Sequence, residues 1–177
     1  MTDATGELLD FRARKDAFFR TPDSPLSAGA RANFAGLAYY SPNEAYRVLA
    51  GIERLGGELV ELGTTTGELR AFVRYGAARF ELLTGAARLT LYVQPGEEEP
   101  ARLFVPFRDS SSGSETYGAG RYLDAELHGA EPDQSLALLD FNFAYFPYCA
   151  YGEGWSCPLP PRENWLSVAV RAGERNP

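Results

Sequence analysis

Beyond Tyr46 the sequence is cut by glycine into short runs of strand character, and this spacing constrains the fold more than any other feature. Arg47–Ile52, Glu58–Leu62, Leu69–Tyr75, Ala78–Leu83 and Arg88–Val93 read as strands. Leu103–Phe107, Arg121–Glu126, Ser135–Phe141 and Leu166–Arg171 complete the set. Junctions fall at Gly56–Gly57, Gly67, Gly76, Gly85 and Gly129, where a residue without Cβ lets the chain turn. In the last run Leu166, Val168 and Val170 alternate with Ser167, Ala169 and Arg171, as in a strand with one buried face. Pro95–Pro100 reads as an exposed hairpin tip. Short strands at this spacing predict a mainly β fold: an antiparallel barrel or a sandwich-like curved sheet.

Ahead of this region the period is helical. Leu8, Phe11, Lys15 and Phe18 share a stripe that Leu9 and Phe19 widen, which predicts a helix over Thr5–Arg20. Asp3 or Thr5 could cap it. Thr21-Pro22-Asp23-Ser24-Pro25 ends it, because proline disfavours helical geometry in the residue before it. A short helical turn is expected around Ala30–Phe34, ended by Gly36. The helix is expected to pack across an open end or face of the β structure. The chain thus reads as a single domain over 1–177, with a helix and proline-rich connection in 1–25 and a β domain in 45–172.

Composition narrows the function classes. With 45% apolar residues, a chain of 177 residues can bury a substantial core, roughly 70% of its unfolded surface. A net charge of −7 disfavours nucleic-acid binding, which needs a basic face. No window approaches the ~20 apolar residues that cross a membrane. The N-terminus lacks the basic start and apolar run of a secretory signal, so the expectation is a cytoplasmic protein with no membrane partner; a homo-oligomer stays open. Cys149 and Cys157 are separated by seven residues, with no histidine near them. They read as buried thiols or one local disulfide rather than zinc ligands. No metal and no cofactor are expected.

Two stretches carry the candidate chemistry: FRDSSSGSETYGAGRY at Phe107–Tyr122, and Leu139–Asn164. The serines lack a base, since the sole histidine, His128, sits in a turn-like Leu-His-Gly. Gly118-Ala119-Gly120-Arg121 lacks the lysine and Ser/Thr of a phosphate-binding P-loop, and reads as a tight turn or as backbone N–H groups facing a small anion. Asp109 follows an apolar strand and Asp140 sits between Leu139 and Phe141, so each must be exposed, paired or hydrogen-bonded. They are the acid–base candidates, or else members of an Arg–Asp network that holds the loops. Cys157-Pro158-Leu159-Pro160-Pro161 is expected to be a self-packed extended strap flanked by Trp155 and Trp165.

FRDSSSGSETYGAGRYL, LDFNFAYFPYCAY and WSCPLPPRENWLSVAVRAGE resemble the signature blocks of the bacterial and archaeal family catalogued as domain of unknown function 1684. KDAFFRTPDSPL and TTTGELRAFVRYG are similar to its upstream blocks. The resemblance implies a domain and a site, not a reaction. By position it marks Asp109, Ser112, Gly113, Thr116, Tyr117, Gly118, Gly120 and Arg121 in the first stretch. In the second it marks Asp140, Asn142, Ala144, Tyr145, Pro147, Cys149, Cys157, Pro158, Pro160 and Asn164. Phe146 stands where the family commonly has asparagine, which implies a more apolar surrounding here.

These readings favour a small-molecule-binding domain with a polar Arg/Asp/Tyr pocket at one end of the barrel or curved sheet, for a small polar or anionic molecule. Arg121 would face an anionic or carbonyl group, and Asp109 or Asp140 would orient Arg121 or accept a ligand donor. Ser112 and Thr116 belong to the same set, with Tyr117, Asn142 and Tyr145 as walls. Two alternatives stand beside it: an enzyme of hydrolase or isomerase type using a carboxylate base, and a structural or protein-interaction module.

Overall fold

The computed structural model describes residues 4–129 and 135–177. Helix α1 spans Ala4–Phe19 and a short α2 spans Ala28–Ala32, capped by the Ser27 side chain. Seven strands follow: β1 Arg47–Arg54, β2 Leu59–Gly63, β3 Leu69–Leu82, β4 Gly85–Val93, β5 Arg102–Phe107, β6 Arg121–His128 and β7 Leu136–Asp140. Neighbours run in the order β1-β7-β6-β5-β4-β3-β2, all antiparallel, and β1 also pairs with β3. That extra pairing closes six strands into a barrel and leaves β2 as an added strand. No helix among the described residues is long and apolar enough to cross a membrane.

Closure depends on Gly76. The two strands expected at 69–75 and 78–83 are one continuous β3. Its first half pairs with β2, through Leu59↔Val73 to Gly63↔Leu69. Its second half pairs with β1, through Arg54↔Gly76 to Ile52↔Ala78. The register against β4 shifts between Arg74 and Gly76, so the strand bends where it changes partner. A Cβ at Gly76 would lie 2.4 Å from Ile52 Cγ2 and 2.9 Å from the Glu53 carbonyl oxygen, which leaves room for glycine alone.

The barrel interior is filled from alternate strand positions: Leu89 and Leu91 on β4, Leu103, Val105 and Phe107 on β5, Leu123 and Ala125 on β6, Ala137 and Leu139 on β7. Each fully buried Leu or Phe contributes about 1.5–3 kcal/mol of transfer free energy. Rings of Phe80 and Phe107 meet Phe141, at 5.7 and 5.5 Å between centroids. A second cluster, Leu62, Phe72 and Tyr92, lies on the outer face beneath β2.

Leu166–Arg171 is not a strand. Its backbone groups bond to other partners: Ala169 O accepts from Thr84 Oγ1, Val168 O from Ser110 N, and Val170 N donates to Asp109. Ala169 and Val170 are consecutive and both buried, so the apparent alternation marks no single face. The helical stripe is also rotated from expectation. Leu9 and Phe18 are 52% and 37% exposed, whereas Leu8 and Phe19 are buried. The helix docks through polar anchors as well as apolar ones. Arg12 donates to the Tyr40 and Asn142 carbonyls, Lys15 pairs with Glu174, and Asp16 accepts from Leu37 N. Asp3, a candidate cap, lies outside the described residues.

The strap expected at Cys157–Pro161 is self-packed. Leu159 N donates to Gly63 O, Tyr122 Oη to Pro158 O, and Trp165 Nε1 to Pro160 O.

Candidate functional site

The eight residues singled out from sequence fall into three places. Asp109, Ser112, Thr116 and Arg121 form a buried latch. Arg121 begins β6 and Asp109 follows β5, so the β5–β6 connection returns one beside the other. Arg121 Nη2 donates to Asp109 Oδ2 at 2.8 Å, and both side chains are 1% exposed. Nη1 also donates to the carbonyls of Ala172 and Glu174, and Nη2 to that of Val170. Asp109 Oδ2 takes Val170 N–H and Oδ1 takes Ser111 N–H, each at 2.9 Å. Ser112 Oγ accepts from Asp109 N, and Thr116 Oγ1 lies 3.0 Å from Ser111 Oγ. Burial pushes the Arg121 guanidinium down, and the adjacent Asp109 carboxylate opposes that. A guanidinium remains charged in such a setting because its ordinary value is so high. The arginine expected to face a ligand instead ties three carbonyls of the 170–174 segment to the barrel.

The glycines beside the latch serve close packing. Gly120 has φ +102, and a Cβ there would lie 2.5 Å from Phe107 O and 2.8 Å from Pro160 Cγ. Gly118-Ala119-Gly120 is accordingly a turn, closed by Gly120 N donating to Tyr117 O.

Two further polar residues lock the same region. Asn164 Oδ1 accepts from Thr90 N, while its Nδ2 donates to the carbonyls of Thr90 and Pro106. This side chain substitutes for ladder bonds between β4 and β5, which share only the Tyr92↔Phe104 pair. Glu174 is buried, pairs with Lys15 of α1, and accepts from Tyr151 Oη and Phe146 N. Burial, then Glu174, pushes the Tyr151 phenol up strongly.

Asp140, Asn142 and Tyr145 form the second place. Asp140 caps the turn after β7: its Oδ1 accepts from Asn142 N and Nδ2. Asn142 is buried and exchanges bonds with the Asn43 backbone. Tyr145 Oη lies 3.0 Å from Asp124 Oδ2, and its ring carries Lys15 Nζ at 4.9 Å. Burial first, then Asp124, pushes its phenol up.

Asp140 and Tyr145 open onto a cleft of about 340 Å³ between α1 and the β5–β6–β7 wall. Helix α1 presents Ala4, Glu7, Phe11 and Arg14 to it, one face at three- and four-residue spacing. Strand β6 supplies Leu123, Asp124 and Glu126; Leu138 and Phe143 complete the floor. Phe11 and Phe143 meet edge to face at 5.1 Å. Arg47 and Arg102 stand at the strand starts, each opposite a carboxylate: Arg47↔Asp140 across β1–β7 and Arg102↔Glu126 across β5–β6. Their N···O separations are 3.4 and 3.5 Å, longer than a good charge-assisted hydrogen bond. Sequence reasoning missed these two arginines because their role is set by cross-strand register.

Tyr117 is the third place. Its hydroxyl lies 3.7 Å from Cys149 Sγ. Burial and this contact push the phenol up to about 12. Cys149 and Cys157 are both free thiols. His128 is exposed at the end of β6 beside Glu126. Among the described residues no group of three or more His, Cys, Asp or Glu side chains is placed to hold a metal.

No curated protein matches the sequence. A solved structure that does match is the solution NMR structure of the uncharacterised protein from gene locus rrnAC0354 of Haloarcula marismortui. It is 38% identical, with a TM-score of 0.77, over 98% of this chain and 95% of that one. The family model described as "Protein of unknown function (DUF1684)" matches residues 32–175. With the six-strand barrel and both polar stretches inside that span, the chain belongs to the DUF1684 family.

Proposed function

We propose that the protein is a small-molecule-binding domain whose ligand occupies the α1–barrel cleft, and that the ligand is a small polar molecule carrying an anionic group. The observation that carries this reading is the loose pairing of Arg47 and Arg102 around a cavity of about 340 Å³. A volume of that order suits a small metabolite. A guanidinium offers five donors, and one long contact leaves most of them for water or a ligand. Arg14 adds a third cation on the helical rim, and Glu7, Asp124 and Glu126 would orient an amine or hydroxyl on the same molecule. Phe11, Leu138 and Phe143 give the floor an apolar surface. Asp140 and Tyr145 keep the ligand roles expected of them. Asp109 and Arg121 support the wall from behind.

Thermal shift with free amino acids, dipeptides and dicarboxylates tests the reading. At least one class is expected to raise the melting temperature of the wild type, because a ligand that binds only the folded state stabilises it. The rise is expected to vanish in Arg102→Ala. A rise that survives both Arg102→Ala and Arg47→Ala contradicts the cleft as the site.

A further inference from the structure

We infer that the groove between the outer sheet face and the 147–158 segment is a carbohydrate site, shaped for a neutral mono- or disaccharide. The groove has a volume of about 520 Å³, with β3, β5 and β6 on one side and the 147–158 segment on the other. It meets the α1–barrel cleft only at Asp124 and Tyr145, which line both. Its floor is aromatic: Phe104 stacks on Phe72 at 5.3 Å and meets Tyr122 edge to face at 4.9 Å. The opposite wall carries Tyr148 and Trp155, edge to face at 4.9 Å, and Trp155 is 39% exposed.

That wall is fixed before any ligand arrives. Trp155 O accepts from Thr65 Oγ1, Ser156 O accepts from Arg70 Nη2, and Cys157 N donates to Thr65 Oγ1. The hydroxyls of Thr66 and Ser156 meet at 2.7 Å. The backbone on either side of Ser156 is thus tied to the β2–β3 turn, so little loop entropy is lost on binding.

The rim holds polar groups with capacity to spare. The Gln94 side chain has no hydrogen-bond partner among the described residues; only its backbone is engaged, with Glu97. Arg70 spends one guanidinium nitrogen on Ser156 O and keeps its other donors. Asp124 gives Oδ2 to the Tyr145 hydroxyl at 3.0 Å and keeps Oδ1. One cation and one carboxylate cancel, so the groove selects no net charge. Its rim fits a ligand that both donates and accepts around its edge, and its walls fit one with apolar faces. A pyranose has both: each hydroxyl donates and accepts, and the ring C–H groups present apolar faces to aromatic rings. A wholly apolar ligand would strip water from Gln94 and Asp124 without replacing it. A proline-rich peptide offers carbonyl acceptors, which suit Arg70 but repel Asp124.

NMR titration of the full isotope-labelled chain with glucose, galactose, mannose, N-acetylglucosamine, maltose and cellobiose at millimolar concentration tests this. The chain has two tryptophans, so the spectrum holds two indole N–H signals, and Trp155→Phe assigns them. At least one sugar is expected to shift the Trp155 signal saturably, with the Trp165 signal unmoved. Gln94→Ala, at an exposed position, is expected to weaken that sugar about tenfold. Trp155→Ala, followed through the backbone amides of Phe104–Asp124, is expected to abolish binding. Arg47→Ala, in the cleft, is expected to change nothing, so this outcome stands apart from that of the cleft. No saturable shift from any sugar of the panel overturns the inference, as does binding undiminished in both Gln94→Ala and Trp155→Ala. Binding lost in Arg47→Ala puts the sugar in the cleft and overturns the groove. Saturation by oligoproline with no sugar bound makes the groove a peptide site and overturns it as well.

Discussion

Two arginine–carboxylate regions lie on opposite sides of strand β6, and they differ in saturation rather than in residue type. At the latch, the Arg121 terminal nitrogens reach Asp109 and the carbonyls of Val170, Ala172 and Glu174 at 2.6–3.0 Å, away from solvent. In the cleft, Arg47 and Arg102 each meet one carboxylate at 3.4–3.5 Å, open to water. A buried charge is stable only when its donors are matched, so the latch has no capacity left for a ligand. A loosely paired surface arginine keeps that capacity and contributes little to the fold. On the proposed reading the two regions therefore separate by the observable each one would control: stability for the latch, binding for the cleft.

The largest expected effect is at the latch. Arg121→Ala strands the buried Asp109 carboxylate and the three carbonyls, and is expected to cost about 3–5 kcal/mol. Urea unfolding measures it, and Arg121→Lys is expected to rescue little, because one ammonium cannot replace the forked contacts. A variant of wild-type stability would show that the latch is not structural. Next comes Asn164→Ala, which leaves the Thr90 N–H and O and the Pro106 carbonyl without their partner at the weakest seam of the barrel. About 1–3 kcal/mol is expected, with amide exchange speeding up in β4 and β5 before other strands.

Alkali is expected to act on both regions, with a smaller effect per group. Burial pushes the phenols of Tyr40 and Tyr117 up to about 12 from an ordinary 10.0, and raises Tyr92, Tyr122, Tyr145 and Tyr151 as well. A phenol whose folded pKa exceeds its unfolded one contributes fully below the unfolded value and loses that contribution as pH rises toward the folded one. Stability is thus expected to be flat below about pH 10 and to fall above it. Tyrosinate absorbance should rise with unfolding rather than before it. An early, uncooperative tyrosinate rise would show these phenols to be open. The smallest effect is in the cleft. Arg47→Ala and Arg102→Ala should each change stability by under about 1 kcal/mol.

Much of the barrel was legible in the sequence, because alternation such as Leu89, Leu91, Val93 and Leu103, Val105, Phe107 is fixed by which face each strand buries. Closure was not, since Gly76 signals a partner change only once β1, β2 and β3 are together. The run from Leu166 to Arg171 misled because its alternation is carried by contacts with Asp109, Ser110 and Thr84 rather than by a neighbouring strand. At the site, the Arg121–Asp109 pairing could be expected from the loop that joins them. Its burial could not, because the covering segment, Val170–Glu174, is about fifty residues away in sequence. Arg102 and Glu126 face each other only through strand register, which no local pattern announces.

The central claim, that the cleft binds and the latch holds, is most directly tested by NMR mapping on the isotope-labelled chain, titrated with the amino acids, dipeptides and dicarboxylates of the thermal-shift panel. The account predicts perturbations centred on Glu7–Arg14, Leu123–Glu126 and Leu138–Asp140, lost in Arg102→Ala, with the signals of Asp109–Arg121 unmoved. Perturbations centred on Asp109–Arg121, or none from any compound of the panel, would contradict it.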